Sequence, residues 1–151
     1  IIEYTFQGAE SEEGSIAGRT TILKLGWLTF KEKPILGYGI HPQIFNEVVL
    51  EKYGYTRSAH NAYVIIAVQT GIFGLLSYIA LFISSITLCY FAQKLAKGKD
   101  DYIYNIANGT MFGVLAIGIN QFMLNEPWIP TVFIAFGLSS ALYHLAKNIK
   151  S

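Results

Sequence analysis

The chain has 151 residues and a net charge of +1, with no run of lysine and arginine, which excludes electrostatic binding to nucleic acid. Hydrophobic residues make up 52% and charged residues 14%. A soluble domain carries roughly a quarter charged residues, so this composition, with a mean hydropathy of +0.39, points to a membrane. Cys89 is the only cysteine and excludes an internal disulfide.

Residues 1–14 (IIEYTFQGAESEEG) are polar and acidic, with Glu10, Glu12 and Glu13 beside Gly8 and Gly14, and are expected to be a loop. There is no signal-like head before an apolar core, and the chain is expected to be the C-terminal part of something longer. Residues 15–31 predict an amphipathic helix, with Ile16, Leu23, Gly26, Trp27 and Phe30 gathered on one face at 100° per residue. Arg19 falls in the middle of that face, with Lys24 and Lys31 at its edge. A guanidinium there is explained either by snorkelling or pairing with a nearby glutamate, or by a bound anion. Lys33-Pro34 ends the helix, because the residue before proline is pushed out of the α region. Gly37-Tyr38-Gly39 and His41-Pro42 form a turn-rich connection, and Ile44 to Tyr53 predicts a short helix stopped by Gly54.

Then the chain changes character. From Asn61 to Gln93 no charged residue appears. The pattern predicts transmembrane helices at 61–93, 103–124 and 129–147, each long enough for a bilayer core. Gly71 and Gly74 allow a bend or close approach in the first, and Gly109, Gly113 and Gly118 predict a second span packed against protein. The fold class expected is therefore an all-α membrane protein, with three C-terminal transmembrane helices preceded by a mostly helical external segment (1–60). Lys94, Lys97 and Lys99 mark the 94–102 connection as cytoplasmic, and Lys147 and Lys150 place the 148–151 tail beside it. Parity puts 125–128 and 1–60 outside.

That topology lets Arg19, Arg57, His60, Asn120, Gln121 and Glu126 meet at the external surface. With Ser58 as N-cap, His60 falls in the first turn, where the helix end attracts phosphate and favours neutral imidazole. Arginine binds diphosphate through paired donors, and a histidine accepts a proton from an incoming hydroxyl. Together they suit displacement of a diphosphate leaving group. Against this stand plainer roles: His60 as an interfacial helix residue, and Glu126 before Pro127 as a helix-end residue. His41, His60 and His144 are scattered without ligand spacing, so no metal and no cofactor is expected. A transporter or flippase binding an anionic lipid-linked substrate, and a non-catalytic membrane assembly subunit, are the other functions compatible with the pattern.

In order, Gly18-Arg19, Trp27, Pro34-Ile-Leu-Gly37-Tyr-Gly39, His60-Asn61-Ala-Tyr63 and Gly71-Ile-Phe-Gly74-Leu resemble the C-terminal part of the O-antigen ligase and O-antigen polymerase family. These are bacterial multi-pass glycosyltransferases of the plasma (inner) membrane that build surface polysaccharide such as lipopolysaccharide or capsule. The resemblance covers roughly residues 15–80 by motif. It implies an external, periplasmic-side site and metal-independent transfer from an undecaprenyl-diphosphate-linked oligosaccharide donor to a glycan or lipid acceptor. It also implies that Arg19 holds the diphosphate and His60 serves as base. Arg57, Asn61, Tyr63 and Glu126 are the candidate substrate-binding residues beside these two.

Overall fold

The computed structural model describes residues 16–55, 58–124, 127 and 130–149, and every element among them is helical: α1 (Ile16–Glu32), α2 (Ile44–Tyr53), α3 (Ala62–Ala96), α4 (Asp101–Asn120) and α5 (Pro130–Lys147). The local signals act as written. α1 stops before Lys33-Pro34. α2 ends where the Gly54 N–H donates to the Leu50 carbonyl (2.9 Å). Asp100 caps α4, its carboxylate accepting the Ile103 N–H at 3.0 Å.

Two helices among the described residues, α3 and α4, are long and apolar enough to cross a membrane, rather than the three expected. α5 has 18 residues, but Pro130, Ser139, Ser140, His144 and Lys147 dilute its apolar content. It nevertheless packs with α3 and α4 as an up-down-up bundle. Ile66, Tyr78, Phe82, Val114 and Val132 form the core at one end, and Ala92, Ala107, Leu142 and Ala146 form it at the other. Small buried residues along these seams (Ser85, Cys89, Ala92, Ala96, Ser139) let the helices approach closely.

The feature that organises the external end is a break in α3. Gly71 has φ 68° and ψ −164°, a combination essentially reserved to glycine, and divides α3 into 62–70 and 72–96. Along an unbroken helix residues 63 and 78 would stand about 22 Å apart. Instead the rings of Tyr63 and Tyr78 lie 6.0 Å apart, and Tyr63 and Phe82 both reach Gly118. The segment 62–70 thus folds back over the end of the bundle.

Breaking a helix frees backbone groups that a low-dielectric setting cannot leave unpaired. The connection between α1 and α2 takes them up. The Tyr38 and Gly39 N–H groups donate to the Val68 and Gln69 carbonyls (2.9 Å each), and the Ile72 N–H donates to the Pro34 carbonyl (2.8 Å). Gly37, at φ 71°, lies so close to Gln69 that a Cβ would overlap its carbonyl, as one on Gly71 would overlap that of Ile35. Gly74 leaves room for the Thr70 side chain in the crook of the bend. The glycine spacing of both motifs is therefore a backbone clamp.

α1 packs on 62–70 and α2 through Ile22, Leu25, Phe30, Phe45, Val49, Ala59, Ile65 and Val68. Its buried side is not the one expected. Ile22, Leu25, Gly26, Thr29 and Phe30 face inward, while Arg19 and Trp27 are exposed. Leucines and tryptophan occur all round α1, so the pattern alone leaves its facing open, and contact of Gly26 with Val64 and Phe45 decides it. The buried Thr29 hydroxyl is satisfied by the Leu25 carbonyl (2.9 Å). Gly109 and Gly113 also depart from expectation: both face open space, and of the three α4 glycines only Gly118 is packed.

Candidate active site

His60 stands just before α3, not in its first turn. Asn61, extended at φ −157°, is the N-cap, its side-chain oxygen accepting the Val64 N–H at 3.2 Å. Asparagine caps as well as serine. Starting the helix at Ala62 rather than beside Ser58 also lets the Ala62 N–H donate to the Gln121 carbonyl at 2.8 Å. Two of the N–H groups expected to greet an anion are thus already used. His60 itself is exposed and adopts φ 45°, alone in the left-handed region among described non-glycine residues. That conformation costs roughly 1–2 kcal/mol.

Tyr63 is locked. Its hydroxyl donates to the Gly118 carbonyl (2.8 Å), and its ring packs on Tyr78 and Phe122. These bonds tie the His60-Asn61 turn to the end of α4, where Asn120 is exposed and Gln121 buried. Pro127 joins the same end, its carbonyl accepting from the Tyr78 hydroxyl (2.9 Å). Arg57 and Glu126 lie outside the described residues.

Arg19 reaches this end by register. Gly26 lies against Val64 and Pro34 bonds to Ile72, so α1 and 62–70 run in the same direction. Arg19 is two turns before Gly26, and His60 is one turn before Val64. Ile22 and Ala59 share the core between them. Both the guanidinium and the imidazole are therefore exposed at one end of this helix pair. The opposite end is braced by Glu32, whose carboxylate accepts from the Tyr38 hydroxyl (2.8 Å) and pairs with Lys52, while Lys33 lies over the Tyr38 ring. Burial, with smaller contributions from Tyr53 and Glu51, holds the Tyr38 pKa above that of a free phenol and keeps it a donor. Among the described residues no group of three or more His, Cys, Asp or Glu side chains could hold a metal ion.

Gln121 is the residue whose importance the sequence understated. Its side chain is fully buried with neither amide atom partnered. A polar pair ending an apolar span was the available signal. Burying an unpaired amide costs about 1–3 kcal/mol. Gln121→Met, similar in volume and without the amide, should raise the thermal midpoint of the purified protein by a few degrees. A fall in the midpoint would show that the amide is paired in the membrane.

A sequence model of the family described as O-antigen ligase matches residues 3–79, about half of the chain, and contains α1, α2, the clamp and the His60-Asn61 turn. No curated protein and no solved structure matches the chain.

Proposed function

Because this chain belongs to the O-antigen ligase family, we propose that it forms part of a membrane glycosyltransferase, transferring or polymerising glycan from an undecaprenyl-diphosphate-linked donor at the external face of the bacterial plasma membrane. The observation carrying the site assignment is the common end of α1 and 62–70, where the Arg19 guanidinium and the His60 imidazole are both exposed.

In this reading His60 takes the proton of an acceptor hydroxyl as its oxygen attacks the anomeric carbon of the donor. The bond from that carbon to the diphosphate oxygen breaks, and the lipid diphosphate leaves with the bonding pair. Arg19 stabilises the charge that grows on the leaving group, with Arg57 as a second source of positive charge. Asn61 holds the turn that presents His60, and Tyr63 anchors that turn to α4. Glu126 completes the substrate contacts from the connection between α4 and α5. The mechanism needs no metal, since arginine performs the charge stabilisation.

The test is transfer from a lipid-diphosphate glycan in membranes. Arg19→Ala and His60→Ala should each abolish ligated or polymerised product while the protein is made at normal level. Wild-type product from both variants would refute these roles.

A further inference from the structure

The connection between α1 and α2 presents to the outside an apolar surface that its clamping role does not need. Ile35, Leu36 and Ile40 are 58%, 79% and 73% exposed, while the backbone around them is bonded to the broken end of α3. Lys31 and Lys33 are exposed on one flank, and Phe73 and Leu76 continue the apolar surface down the first turns of 72–96.

The length of that helix sets the depth. Residues 72–96 span about 37 Å, against about 30 Å of hydrocarbon, so the Gly71 end emerges into the headgroup layer. The hydrogen bond from Ile72 to Pro34 holds the connection at that level. Large aliphatic side chains in open water would be an aggregation liability, whereas at the headgroup boundary they enter acyl chains while adjacent lysines meet lipid phosphates.

We propose that residues 33–40 are a lipid-seating loop, in which Ile35, Leu36 and Ile40 dip into the bilayer interface and hold the Gly71 end of the α1–α2 unit at the headgroup layer. This rests on the membrane-spanning reading of 72–96 and goes beyond the glycosyl transfer assigned above.

The experiment uses the whole chain in a Cys89→Ala background, labelled with an environment-sensitive fluorophore at Leu36→Cys and reconstituted into phosphatidylglycerol/phosphatidylcholine vesicles. Glu51→Cys on exposed α2 and Ile83→Cys, midway along 72–96, serve as references. Quenchers are nitroxide lipids, spin-labelled near the headgroup or at the acyl-chain end, and aqueous iodide. Lipid seating predicts that the headgroup-proximal nitroxide quenches the label at 36 at least about twofold more than the label at 51, with iodide showing the reverse order. A label at 36 that behaves like 51 overturns the proposal, as does one shielded from both quenchers, which would mean that protein covers the loop. If 83 is quenched by the deep nitroxide and 36 by neither lipid, only the loop proposal fails. If 83 is not quenched, the span fails and the loop proposal with it.

Discussion

Replacing His60 with glycine should abolish glycan transfer and leave the fold as stable as before, or more so. Two physical terms point in opposite directions at this residue. The side chain is the proposed proton acceptor, and losing a positioned base typically costs about 10²–10⁴-fold in rate. The backbone, at φ 45°, is strained for histidine and relaxed for glycine. A residue kept only for structure would show no such opposition. His60→Ala removes the base but keeps the strain, and His60→Asn supplies a side chain that tolerates the left-handed region without a useful proton acceptor. All three should lack product, with glycine showing the highest thermal midpoint in detergent. Transfer persisting in His60→Gly would remove the residue from the mechanism and leave its backbone conformation without a functional reason.

The second large effect is expected at Gly71, with the opposite signature. Gly71→Ala should lower the thermal midpoint by ten degrees or more or prevent recovery of a monodisperse protein, because a few kcal/mol is a large part of a domain's stability. Alanine there adopts a backbone conformation reserved to glycine, and its methyl collides with the Ile35 carbonyl. Relief by straightening α3 would strip partners from the Tyr38 and Gly39 amides and the Pro34 carbonyl and pull the His60-Asn61 turn away from Gln121. Gly113→Ala provides the contrast. It sits mid-helix in open space and should be neutral or stabilising by up to about 1 kcal/mol from helix propensity alone. Equal loss of stability in the two variants, measured by size-exclusion after heating, would contradict the clamp. It would also mean that the open face of α4 is covered in the membrane.

What the amino-acid order determined unaided is whatever has a cause within a few residues. α2 runs from Ile44 to Tyr53 and Gly54 stops it. α1 ends ahead of Lys33-Pro34, and the uncharged run after Asn61 announces helices suited to a membrane. The ordered motifs also carried the family, whose match covers the segment that bears them. Facing and register were decided by contacts between distant parts of the chain. Ser58 and Asn61 are competent caps on local grounds, and the hydrogen bond from Ala62 to Gln121 favours the later start, which moves His60 out of the helix. Arg19 changed sides because Val64 and Phe45 choose which stripe of α1 is buried. Glycine spelling alone cannot separate Gly71, which turns the chain back, from Gly109 and Gly113, which touch nothing, because the distinction lies in what a missing methyl would meet. Local sequence limits which conformations are cheap; only packing across the fold selects among them.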